Sequence, residues 1–162
     1  LKQLFIPYAE RELKEQVSYA NVNESIAALN KLGFKAQVNP REINLFYLKD
    51  GLRERIIESN GNYKVNNTEI SWSQDEILNH LNESPESFSP NVIMRPLYQE
   101  VILPNLCYIG GGGELAYWLE LKSYFDAVNV TFPMLLLRNS VLLIDQKQRK
   151  KMQGLHISEK EI

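Results

Sequence analysis

The chain has only one cysteine, Cys107, so it cannot close an internal disulfide, and the composition fits a reducing cytoplasm. Its two histidines, His80 and His156, lie far apart with no ligand-spaced partners, and no metal site is indicated. Charge of one sign is not in excess: the formal net charge is -2, which gives no global field toward nucleic acid or an anionic membrane. Long apolar runs are missing as well. The stretch from Met134 to Ile144 is broken by Arg138, Asn139 and Ser140 and is too short to span a bilayer. With Leu at position 1 and a charge at Lys2, nothing reads as a secretory leader, and the lack of an initiator Met fits an excised piece. Repeats and low-complexity tracts are absent too.

What is present is ordinary globular composition, 44% hydrophobic and 23% charged over 162 residues, which suits one α/β domain or part of one. Leu13, Val17 and Ala20 recur at helical spacing and predict one apolar stripe. Asn23 is a plausible N-cap for a second helix carrying Ile26, Leu29 and Leu32, with Gly33 placed to end it. The period then changes. Ile43 to Leu48 reads as a strand, Asp50-Gly51 and Asn60-Gly61 as turns, and Leu52 to Glu58, Tyr63 to Val65 and Glu69 to Ser71 as further strands. A small antiparallel meander is therefore expected within residues 33–72.

Ser73 and Glu76 form an S-x-x-E capping box that opens a helix to about Asn82, stopped by Ser84-Pro85 and a Ser/Pro-rich loop over 84–90. Beyond it the pattern is α/β. Asn91 to Met94 is expected as a short strand, Pro96 in the first turn of a helix to about Ile102, and Asn105 to Ile109 as an apolar strand. Gly110 to Gly113 then read as a turn, Glu114 to Phe125 as a helix with Leu115, Trp118, Leu119 and Lys122 along one face, and Phe132 to Leu137 and Val141 to Ile144 as buried strands. The fold class expected is α/β: a segment over 90–146 with a parallel βαβ unit, beside the meander.

Four consecutive glycines, Gly110, Gly111, Gly112 and Gly113, are the strongest chemical candidate. Glycines let backbone approach a ligand, and a helix N-terminus offers free N–H groups to phosphate or carboxylate. The run matches neither a P-loop nor a full dinucleotide fingerprint, so a plain tight turn, with Glu114 near the helix dipole, competes with ligand binding. Arg95 and Arg138 each follow an apolar strand, where a guanidinium clamps an anion or closes a structural ion pair. Tyr98, Gln99 and Glu100 follow Arg95, and Glu100 reads as a base, as a holder of an ammonium group, or as part of a solvated helix face. Asn105 and Asn139 sit at strand ends, where they bind a ligand or close turns. Cys107, in the string Leu106-Cys107-Tyr108-Ile109, is expected as a buried core thiol rather than a nucleophile. Lys147, Arg149, Lys150 and Lys151 read as a solvated basic helix face.

Residues 90–114, PNVIMRPLYQEVILPNLCYIGGGGE, resemble the most characteristic block of the BshC family. LAYWLELKSYFD (115–126), FPMLLLRNSVLLID (132–145) and LGFKAQVNPREINLFYLKDGLRERI (32–56) are similar to its neighbouring segments. The resemblance implies a Rossmann-like core of a cytoplasmic ligase that joins cysteine to glucosaminyl malate through an amide, making bacillithiol. It implies Arg95 and Glu100 as catalytic candidates. As substrate- or nucleotide-binding candidates it implies Tyr98, Gln99, Asn105, Gly110–Gly113, Glu114, Arg138 and Asn139. ATP is the cofactor that carboxyl activation commonly uses, although no motif here requires it. The chain would be the later part of the family's core, without its first half. Residues 146–162 would approach a C-terminal coiled coil through which homo-oligomers form. The uninterrupted glycine run departs from a family pattern that often places a proline within it, which would loosen the turn. A non-catalytic nucleotide- or anion-binding or scaffolding domain of the same fold is the alternative.

Overall fold

A computed structural model describes residues 1–158. Two helices, α1 (Lys2–Glu15) and α2 (Val17–Lys31), meet at Gln16, whose φ of 50° serves as the C-cap of one and the N-cap of the other. The break therefore falls at Gln16, and Asn23 is not an N-cap. Asn23 lies inside α2 and donates from Nδ2 to the Tyr19 carbonyl at 2.8 Å. The kink also turns Ala20 outward, while Leu13 and Val17 stay buried. Gly33, at φ +89°, follows the end of α2 as the sequence led one to expect.

The meander is β1 (Leu45–Lys49), β2 (Leu52–Ser59), β3 (Asn62–Val65) and β4 (Ser71–Ser73). Ser59 pairs with Asn62 across a two-residue loop in which Asn60 and Gly61 both have positive φ, 54° and 77°. That is the tight hairpin geometry matching strand twist, and Asn-Gly is the dipeptide that tolerates it. The last strand sits two residues later than expected, so Ser73 ends β4 and also caps α3 (Gln74–Glu83). The capping box is closed there: Ser73 N–H donates to Glu76 Oε2 at 2.7 Å and Glu76 N–H to Ser73 Oγ at 3.4 Å.

Asn91 to Met94 is not a strand. The strand is β5 (Phe88–Pro90), inside the presumed loop, and it pairs antiparallel with β1, giving a five-stranded sheet in the order β4-β3-β2-β1-β5. Asn91 diverts the chain: its Oδ1 accepts from Ile93 N–H at 2.8 Å and Met94 N–H at 3.3 Å, folding 91–94 into a turn. From that turn rises α4 (Arg95–Ile102), with Pro96 in its first turn.

β6 (Cys107–Gly110) and β7 (Met134–Leu137) form a separate parallel pair, with two helices between them in the chain. The expected single helix is α5 (Gly112–Leu119) and α6 (Lys122–Ala127), broken at Glu120-Leu121. The break lets Trp118, Leu121, Tyr124 and Phe125 all turn inward, while Leu119 and Lys122 face outward. Val141 to Ile144 is not a buried strand. Val141, Leu142 and Leu143 are exposed, because no described strand lies beside them to satisfy their backbone or cover their side chains. Asp145 then caps α7 (Gln146–Gly154), which carries the basic residues on an exposed surface. Residues 159–162, the end of the segment expected to approach a coiled coil, lie outside the described residues.

The core is continuous. Phe5, Ala9 and Leu13 of α1 are buried with Leu45, Ile56, Tyr63 and Val65 of the sheet and with Ile77 and Leu81 of α3. Around β6, Trp118 packs on Tyr108 with ring centroids 4.5 Å apart, and Phe125 packs on Phe132 at 5.2 Å.

Candidate functional site

The glycine run is not a four-residue turn. Gly110 closes β6, Gly111 alone makes the bend, and Gly112 and Gly113 open α5. A Cβ at Gly110 would stand 2.8 Å from Tyr108 Cε1 and 3.2 Å from Leu115 Cδ2, so this glycine is needed for strand-to-helix packing. At Gly111 a Cβ would meet the Arg138 guanidinium at 3.3 Å. Gly112 and Gly113 face open space.

Parallel pairing explains how Arg138 reaches this turn. The ladder aligns Gly110 with Leu137, and Arg138 N–H donates to the Gly110 carbonyl at 2.9 Å, so both strands end side by side. Among the described residues the Arg138 guanidinium has no ion-pair partner. Glu114 reaches back to Gly111 N–H at 2.7 Å and also accepts from Tyr108 OH at 3.3 Å. The Gly111 bond, assisted by Tyr108 and the nearby Arg138 charge, holds the Glu114 carboxyl below its ordinary range against a small desolvation cost.

Arg95 is exposed at the start of α4, and its charge acts on Tyr117. The Tyr117 hydroxyl donates to the Val92 carbonyl, tying α5 to the 91–94 turn. Burial pushes this phenol well above its usual range, and the Arg95 charge opposes that shift. Tyr108, hydrogen-bonded to Glu114, acts electrostatically on Tyr117 as well.

The other candidates lie elsewhere. Asn105 precedes β6 and sits beyond its amino end, opposite the glycine bend. There Glu100, 3% exposed, accepts from Asn105 N–H at 2.8 Å and Asn105 Nδ2 at 2.9 Å, while Gln99 Nε2 donates to it at 3.4 Å. Glu100 is thus neither a solvated helix face nor an unengaged base. Tyr98 packs edge-on against Phe5, with ring centroids 5.0 Å apart. Asn139 is exposed just past β7. Cys107 is half-buried, not the fully buried thiol expected, because the narrow two-stranded sheet leaves an edge open.

A mainly apolar cavity of about 310 Å³ lies beside Gly112, lined by Phe34, Leu115, Leu119 and Leu137 among others. At its margin the buried Glu120 carboxylate accepts from Gln37 N–H at 2.6 Å and Val38 N–H at 3.1 Å, fixing the segment after α2 over α5. Sequence reasoning missed Glu120, Tyr108 and Tyr117. An acid between two leucines was a faint signal for the first, and the two tyrosines were hidden inside apolar periodicity.

Residues 1–139 match the family model described as bacillithiol biosynthesis BshC, N-terminal Rossmann-like domain. The chain belongs to the BshC family. Relatives named "Putative cysteine ligase BshC" include one from Flavobacterium johnsoniae, 65% identical over all 162 residues, and one from Christiangramia forsetii, 64% identical over the same length. A Bacillus pumilus relative of that name is 34% identical over 143 residues, covering 87% of this chain and 26% of its own. This BshC-family chain spans about 30% of the length of the first two relatives. The expected Rossmann-like class accords with the matched family domain, and the structure adds a mixed architecture: an antiparallel sheet and a parallel two-stranded one.

Proposed function

We propose that this chain supplies part of the substrate-binding surface of a BshC ligase that joins cysteine to glucosaminyl malate through an amide. The observation that carries the reading is Arg138 beside Gly111 at the start of α5, without an ion-pair partner among the described residues, next to open space at Gly112 and Gly113. Backbone N–H groups at a helix start and an available guanidinium suit a carboxylate or phosphate. Arg95 extends that surface. A malate carboxylate fits this chemistry, and so does a phosphate of ATP. ATP would supply carboxyl activation, and Gly112, Gly113 and Arg138 would hold its phosphates.

In this reading Glu100, Gln99, Asn105 and Tyr98 shape the scaffold, while Asn139 borders the site. Amide formation also needs two substrates oriented together and a proton accepted from the amine. No complete acid–base set stands at the glycine bend among the described residues, so the chain alone is expected to lack ligase activity. The chain is read as a fragment of one core ligase domain, with the meander over 33–72 as an insertion and the Rossmann-like βαβ segment over 90–146. The protein is read as cytoplasmic, with homo-oligomers formed through C-terminal helices of the full-length protein. The single unpaired Cys107 suits that compartment, and among the described residues no helix is long and apolar enough to cross a membrane.

The test is full-length protein assayed with cysteine and glucosaminyl malate, with and without ATP. Arg138→Ala and Arg95→Ala should each lower kcat/KM at least about tenfold, or about 1.4 kcal/mol of transition-state stabilisation. Wild-type kinetics in both folded variants would leave the surface as a scaffolding or non-catalytic anion-binding one.

A further inference from the structure

A carboxyl group sits in the interior where no cation meets it. Glu12, Ser18 and Asn44 are each fully buried, and among the described residues Glu12 has no ion-pair partner. Hydrogen bonds replace the missing countercharge. Glu12 Oε1 accepts from Ser18 Oγ at 2.6 Å and from Asn44 N–H at 2.9 Å, and Glu12 Oε2 accepts from Ser18 N–H at 3.0 Å. Burying a carboxyl costs several kcal/mol unless its oxygens are satisfied, so the arrangement is under strong geometric constraint.

The network leads outward through Asn44 to two places, the Arg41 backbone and the turn at Asn91. Asn44 Nδ2 donates to Ser18 Oγ at 2.6 Å and to the Arg41 carbonyl at 2.6 Å, which fixes the orientation of the amide. Asn44 Oδ1 then accepts from Asn91 Nδ2 at 2.8 Å, and Asn91 N–H donates to the Asn44 carbonyl at 3.0 Å. Asn91 holds the next turn with its own Oδ1, through Ile93 and Met94 N–H. Its carbonyl accepts from Arg95 N–H at 2.9 Å. Four side chains from α1, α2, the segment before β1 and the start of the 91–94 turn thus converge on the backbone that launches Arg95.

We infer that the buried Glu12–Ser18–Asn44–Asn91 relay is a positioning device for Arg95, setting where its guanidinium meets an anionic substrate. This rests on the reading of Arg95 as a substrate-binding residue. A turn built only for folding would need no more than Asn91 and its two N–H partners. Here Asn91 is itself held by one bond to the Asn44 side-chain amide, which the buried Glu12 orients, and by another to the Asn44 backbone carbonyl, so a displacement at Glu12 is transmitted to Arg95.

The experiment is a double-mutant cycle in full-length protein, with KM for glucosaminyl malate and kcat read separately and folding checked by thermal melting. Asn91→Ala and Glu12→Gln should each raise KM about fivefold with kcat little changed, and neither should add to the effect of Arg95→Ala. Unchanged KM in the folded single variants, beside a raised KM in Arg95→Ala, overturns the inference and leaves the Arg95 reading standing. Effects that multiply fully with Arg95→Ala also overturn it, since the relay would then act elsewhere. Wild-type KM in Arg95→Ala removes both the reading and the inference. If neither relay variant folds, the network is a folding element and the inference is overturned.

Discussion

Glu114 Oε2 accepts a hydrogen bond from the Gly111 N–H at 2.7 Å, across the single-residue bend between β6 and α5. The carboxylate thereby satisfies the N–H at the bend, and open space lies where a Cβ at Gly112 or Gly113 would stand. Its proton affinity is lowered by that bond first, then by Tyr108 and Arg138. A lowered folded-state value means stability that is present above the ordinary value of 4.5 and lost as pH falls through the folded value. Glu114→Gln should therefore flatten part of the acid limb of a stability curve measured by denaturant melts between about pH 3 and 7.

Glu12 should act in the opposite direction. Burial raises its folded-state value, opposed by bonds from Ser18 and Asn44. The folded protein then binds the proton more tightly, so stability falls as pH rises from 4.5 through the raised value and is flat above it. Glu12→Gln should remove that decline. Its persistence in the same melts would place its origin in another group.

The glycines should separate by position. Gly110→Ala should destabilise by about 1–3 kcal/mol, because the new methyl overlaps Tyr108 and presses on Leu115. Gly113→Ala, in open space within the first turn of α5, should stabilise by about 0.5–1 kcal/mol. If an anion docks there, the same substitution should weaken binding of malate or ATP to full-length protein. Melting curves and titration calorimetry report the two effects independently.

Glu100→Ala should show itself in stability before catalysis. It leaves Asn105 without its buried acceptor and should cost about 1–3 kcal/mol by denaturant melts. In full-length protein kcat should be retained under conditions where the variant is folded. A large loss of kcat without loss of stability would return Glu100 to the reacting groups.

Local signals were legible where a short-range rule decides the outcome. Asn60-Gly61, the Ser73–Glu76 capping box, Gly33 and Pro96 each took the role their chemistry favours, because the relevant partners lie within a few residues. The Asn91–Met94 and Val141–Ile144 strands were misjudged for the same reason in reverse. Apolar content does not say whether another strand is available to pair, nor that Asn91 will draw its backbone into a turn held by Asn44. The candidate site followed the same division. Arg138 beside the glycine bend was readable from parallel-strand logic, whereas Asn105 fell at the other end of β6, where Glu100 captures it.

By itself the sequence determined the hairpin turns, the helix caps, the glycine bend and the family to which the chain belongs. These depend on neighbours along the chain or on long ordered strings of residues. Tertiary structure alone decided that Gln16 breaks the first helices, that β5 joins the meander sheet, and that Tyr117 ties α5 to the 91–94 turn. It also decided that Glu12 is buried and tied through Asn44 to Asn91, partners 32 and 47 residues apart in successive steps. Burial and hydrogen-bond partners across such separations are set by packing of the whole chain, and no local pattern encodes them.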